Sequence, residues 1–80
     1  MLVVVKIVGV PNEVTVEVPP TSTLKDVLAQ MLRDNVLTGF QNPEEITNSY
    51  LIYVNSRAAG LKTAIKEGEN VLMVPALEGG

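Results

Sequence analysis

Gly79 and Gly80 close the chain, and a glycine pair there has no following segment whose direction it could set. Its use is chemical. Lacking Cβ atoms, the two residues can thread a narrow channel and bring backbone close to another protein's reactive groups. The end then offers an α-carboxylate to a foreign active site; the competing reading is a frayed end with no role. The rest of the chain's chemistry is thin. Its 80 residues include no cysteine and no histidine, which removes thiol nucleophiles, imidazole bases, the usual soft-metal ligands and any disulfide framework. Glu44 and Glu45 adjoin, but in what reads as an exposed turn, a poor setting for a general acid and base pair.

Such a terminus needs a scaffold to hold it out, and the composition supplies one. A hydrophobic share of 46% in 80 residues predicts one domain near the lower limit at which a single core suffices without disulfides or metal. The formal net charge is -3, from six basic and nine acidic residues. Nucleic-acid binding calls for a clustered basic face, so no nucleic-acid partner is expected, and charged partners should be basic. Leu2 to Val5 is too short for the apolar region of a signal peptide and is interrupted by Lys6, and no stretch approaches the length that spans a bilayer. The expectation is a cytoplasmic protein with no membrane partner.

The elements follow from spacing. Leu2 to Val8 is rich in β-branched residues and predicts a strand, ended by a turn at Gly9 to Asn12. Val14 to Val18 alternates, so Val14, Val16 and Val18 should face a core and complete a hairpin. Thr21, Ser22 and Thr23 offer helix-capping hydroxyls, with Asp26 in a capping-box position. Leu24, Val27, Leu28, Met31 and Leu32 then form one apolar stripe on a helix, with Asn35 as a left-handed cap. Val36 to Ser49 reads as a long loop that tucks Phe40 and Ile46 onto the core, with Asn42 and Pro43 able to start one short helical turn. Tyr50 to Val54 predicts a third strand, Asn55 and Ser56 a turn, Arg57 to Ala59 a short segment, and Leu61 to Ile65 an irregular stretch or a single turn. Glu67 to Glu69 turns the chain into a last strand at Val71, and Pro75, lacking a backbone N–H, should end central-strand pairing.

This order predicts an α+β fold, a mixed sheet packed on one face by one main helix. The other face is then rich in apolar groups. With Val3, Val5 and Ile7 inward, Leu2, Val4, Lys6 and Val8 point outward, as does one member of each of the pairs Leu51/Ile52 and Leu72/Met73. Either this is a docking face for a partner or the stretch 36–49 covers it.

Three features carry a resemblance: the Val54-Asn55 strand end with its tight turn, the Lys66-Glu67-Gly68-Glu69 turn before an apolar strand, and above all Val74-Pro75-Ala76-Leu77-Glu78-Gly79-Gly80. They are similar to the small sulfur carriers of the ubiquitin-like β-grasp superfamily, and most like the small subunit of molybdopterin synthase. From Tyr50 to Gly80 the likeness is one of motif; before that it is one of element order. The resemblance implies a β-grasp domain over 1–75 and a flexible tail over 76–80, with no bound cofactor and no catalysis by the chain alone. It implies that an ATP-dependent activating enzyme adenylates Gly80, that a sulfur donor makes the thiocarboxylate, and that a larger synthase subunit or another acceptor enzyme takes the sulfur. In that scheme Gly79 lets the tail through a narrow entrance. Pro75, Ala76, Leu77 and Glu78 form the arm, and Val74 belongs to the docking face. Val74 and Ala76 depart from the proline and aromatic residues often found near the arm, and Leu77-Glu78 resembles ubiquitin-related modifiers that double as sulfur donors. Conjugation of Gly80 to lysines, sulfur donation to thiamine or tRNA thiolation, and an inert tail on an interaction domain are the alternatives.

Overall fold

β-Branched side chains pack well on a pleated surface, and the opening run uses this: Leu2–Ile7 forms strand β1 in a computed structural model of the protein, which describes residues 1–76. The chain reverses through Gly9, whose φ of +95° suits glycine,. Val14–Glu17 returns as β2, antiparallel to β1, with Val3 opposite Val16 and Val5 opposite Val14. Val3, Val5, Ile7, Val16 and Val18 are buried as alternation predicts, whereas Val14 is half-buried and packs at the margin of the core.

Helix α1, Leu24–Arg33, begins where the capping residues place it. The Asp26 carboxylate accepts the Thr23 N–H at 2.9 Å. Leu24, Val27, Leu28 and Met31 are fully buried, and Leu32 packs half-buried beside them. At the far end Asn35 takes φ 58°, Val36 N–H donates to the Met31 carbonyl at 2.9 Å and Asn35 N–H to that of Leu32 at 3.2 Å. This double return is a Schellman cap.

The stretch expected to be a loop contains a second helix, α2, Pro43–Ser49. Pro43 occupies its first turn, Asn42 Oδ1 accepts the Glu45 N–H at 3.0 Å, and the Glu45 carboxylate accepts the Gln41 N–H at 2.7 Å. Glu44 and Glu45 therefore sit in the first turn of a helix rather than in an exposed turn, where negative charge offsets the helix dipole. The helix has no apolar stripe to announce it. Apart from Pro43, Ile46 is its one buried residue, fully enclosed in the core.

The remaining strands are β3, Tyr50–Val54, β4, Arg57–Ala58, and β5, Asn70–Pro75. The sheet order is β2-β1-β5-β3-β4, with β5 parallel to β1 and antiparallel to β3, so the sheet is mixed and the last strand lies at its centre. Residues 61–65, the irregular stretch, are tied to the start of α1: Leu24 N–H donates to the Thr63 carbonyl at 2.8 Å, and Ile65 N–H to that of Ser22 at 3.0 Å. Ile65 closes the core there.

The turn between β3 and β4 holds Asn55 at φ 48° and Ser56 at φ 69°, which is the two-residue left-handed geometry that matches strand twist. Serine is a costly residue at that φ, and glycine is not. Ser56→Gly is therefore expected to raise stability by about 0.5–1 kcal/mol, after allowing for the added freedom of the unfolded chain. Urea denaturation measures it; an unchanged or lower midpoint would count against this account.

Candidate functional site

The site is built at the end of β5. Val71 and Met73 point inward and are buried, while Leu72 and Val74 point to the opposite face. Val74 is half-buried opposite Leu51 of β3, Pro75 is exposed opposite Tyr50, and Ala76 is half-buried with its N–H donating to the Ser49 carbonyl at 2.9 Å. Pro75 thus does not end pairing with β3, contrary to expectation. Hydrogen bonds to β3 alternate along β5: Asn55 N–H reaches the Asn70 carbonyl at 3.1 Å and Ala76 N–H reaches Ser49. The odd-numbered residues between them turn their backbone groups to the β1 side, as Met73 does in accepting the Val8 N–H at 2.9 Å. The missing donor of Pro75 falls on that side, beyond the end of β1, where no ladder bond is lost. Leu77, Glu78, Gly79 and Gly80 lie outside the described residues; of the expected arm, Pro75 is the last residue of β5 and Ala76 is tied to Ser49, so these two belong to the sheet and not to a flexible tail.

The outward face of the sheet is open. Pairing aligns Lys6 of β1, Leu72 of β5, Tyr53 of β3 and Ala58 of β4 in one row, with Val74 and Leu51 in the next and Val4 beside Asn70 below. Leu2 is 59% exposed, Leu51 53%, Val8 46% and Leu72 36%, so residues 36–49 do not cover this face. Instead α2 packs against α1 and β3, with Ile46 in the core. Of the ambiguous pairs, Leu51 and Leu72 are the outward members. Several large apolar side chains exposed on one sheet face mark an interaction surface.

The lower margin is fixed by a polar bracket that sequence reasoning marked only as two turns. Asn55 Oδ1 accepts the Asn70 N–H at 3.0 Å and its Nδ2 donates to Glu69 at 3.3 Å. The other Glu69 oxygen accepts the Lys66 N–H at 2.6 Å, and Gly68 turns at φ +86°. One asparagine so clamps the start of β5 to the β3–β4 turn and fixes the register that carries Val74 to the rim. A concavity on the open face runs from this bracket toward Lys6 and Glu13, floored by Val4, Tyr53 and Leu72.

Among the described residues, no group of three or more histidine, cysteine or acidic side chains is placed to hold a metal. Nor is any helix among them long and apolar enough to cross a membrane. Glu45 is spent on the start of α2. The arrangement places the end of β5 beside an exposed apolar surface.

Comparison with known proteins agrees with this architecture. The ThiS family model matches residues 4–80. The fold is similar to that of SAMP1 from Haloferax volcanii, with a TM-score of 0.74, 18% identity and 100% of both chains covered. It is also similar to a chain in the protein–protein complex of subunits 1 and 2 of molybdopterin-converting factor from Helicobacter pylori 26695, with a TM-score of 0.64, 21% identity and 100% of both chains covered. At these identities the likeness to the solved structures is one of fold.

Proposed function

Since the chain belongs to the ThiS family of ubiquitin-like β-grasp sulfur carriers, we propose that it carries sulfur as a thiocarboxylate on Gly80 and donates it as the small subunit of a molybdopterin synthase. The observation that supports this best is the union of two features. A Gly79-Gly80 end follows a central strand, and that strand leaves the sheet at the rim of an uncovered apolar face. A partner that docks on the face receives the chain end at a set place.

The chemistry needs ATP, used by the activating partner. A carboxylate is a poor electrophile until one oxygen becomes a good leaving group. An oxygen of the Gly80 carboxylate attacks the α-phosphorus of ATP, pyrophosphate departs and an acyl-adenylate forms. The terminal sulfur of a persulfide then attacks the acyl carbon and AMP leaves. A thiol cleaves the resulting S–S bond, taking the donor's sulfur into a disulfide and leaving Gly80 with a C–S nucleophile. Gly79 lets the end pass a narrow entrance; Leu77 and Glu78 serve as the arm, with Pro75 and Ala76 as its base on the sheet; Val74 joins the docking face. The final acceptor is a pterin precursor held by a larger subunit.

The absence of cysteine from the sequence makes the test direct. Protein isolated from its own cells is treated with a thiol alkylator under mild conditions, and any adduct is placed by peptide mass. The expected adduct is on Gly80, and oxidation of Met1, Met31 or Met73 cannot imitate it. An intact, unalkylated terminus from cells whose activating enzyme and sulfur donor are active would overturn the reading. The Leu77-Glu78 pair before Gly79 favours one second reading, a modifier joined to lysines, for which the mark is an isopeptide through Gly80.

A further inference from the structure

Among the described strand residues, Lys6 is the one cation on the outward row of the sheet. Apolar groups flank it on three sides. Val4 and Val8 lie two residues away on the same strand face, and Leu72 is directly across on β5 with Tyr53 beyond it. The acid on this face lies to one side. Glu17 is opposite Leu2, and Glu13, just before β2, continues that register to the place across from Lys6, so the β2 edge forms an acidic margin. No ion pair within 4.0 Å joins Lys6 to an acidic group among the described residues, Glu13 included.

Such a pattern has a consequence once the face is buried, as the proposed function requires. An ammonium group taken out of water within an apolar contact is costly unless it is paired. We infer that Lys6 is the specificity contact of the open face: it pairs with a carboxylate, ringed by apolar groups, on the adenylating partner, whose basic groups meet the Glu13 and Glu17 margin. This inference rests on the carrier reading and names the surface chemistry of its first partner. The charge serves as a filter, because an apolar surface with no acid opposite Lys6 strands the ammonium and is rejected. A second copy of the chain is the poorer occupant, since self-association brings together two molecules of net charge -3,.

The test is ATP–pyrophosphate exchange by the adenylating enzyme of the same organism, with the full chain as substrate. Lys6→Met is expected to raise the KM for the chain about thirtyfold and Lys6→Glu about a hundredfold, by loss of a buried charge pair. Lys6→Arg should stay near the parent, and kcat should not change, because the chain end is untouched. Lys6 is exposed, so the unfolding midpoints should also hold. An unchanged KM in Lys6→Met and Lys6→Glu overturns the inference, as does a fall in kcat in its place. If Glu13→Gln reproduces the Lys6→Met effect, the countercharge lies within the chain and the inference fails. Parent protein that sediments as a dimer which Lys6→Glu disrupts gives the face to a second copy, and the inference fails there too. Exchange by the parent with no Lys6 effect leaves the carrier reading standing. No exchange by the parent brings down the carrier reading and this inference with it.

Discussion

Deleting Gly80 is expected to leave a folded domain that no longer takes up sulfur. The shortened chain still ends in a carboxylate, but on Gly79, which lies up to about 3.6 Å short of the former position in an extended chain. Adenylation needs the attacking oxygen in line with the α-phosphorus, and a misplacement of about 1 Å can cost on the order of a hundredfold in rate. The loss of exchange should thus be at least about a hundredfold, with thiocarboxylate below detection. The fold should be indifferent. Every buried apolar residue of the described structure lies at or before Met73, so the denaturation midpoint should match that of the parent. Sulfur loading at parental rates without Gly80 would remove the terminal carboxylate from the mechanism.

The second large effect is on stability. Leu28 is fully buried on α1, in one core with Val3, Val5, Val16 and Met73 of the sheet. Leu28→Ala removes buried methyl groups and leaves a cavity that a sheet and a helix cannot fully close, at a cost of about 3 kcal/mol. For a chain of 80 residues the whole stability is on the order of 4–12 kcal/mol, so a large part is lost. Guanidinium denaturation should show the drop at an unchanged slope. Leu51 is the same residue type on the other side of the sheet, 53% exposed, and Leu51→Ala should change stability by less than about 0.5 kcal/mol. A Leu51→Ala loss as large as that of Leu28→Ala would mean that the open face is covered in the free protein.

Much of the fold is legible in the residues alone. The stripe from Leu24 to Met31 has the period of a helix with one wet face, and the alternation in β1 and β2 assigns Val3, Val5 and Val16 inward. Asn35 is readable as a left-handed cap because few other residues tolerate that conformation. Of helix α2 the start is legible, with Asn42 as cap and Pro43 in the first turn, but its length is not, because a helix held by Ile46 and Pro43 has no stripe to count. Pro75 misleads for a related reason. Composition tells that a donor is missing, but only the ladder tells which side it is missing from.

The sequence alone carries the local elements, the lack of cysteine and histidine chemistry, and the closing glycine pair. Each of these depends on residue type or on short-range period alone. Tertiary structure decided which of Leu51 and Ile52, and which of Leu72 and Met73, faces outward. Where both neighbours are apolar, a period of two carries no phase, and cross-strand pairing supplies it. It also decided that β5 lies between β1 and β3, that Asn55 clamps its start, and that Lys6 stands among outward apolar groups. These are relations between segments far apart in the chain, fixed only when the hydrogen bonds of one strand are satisfied by two others.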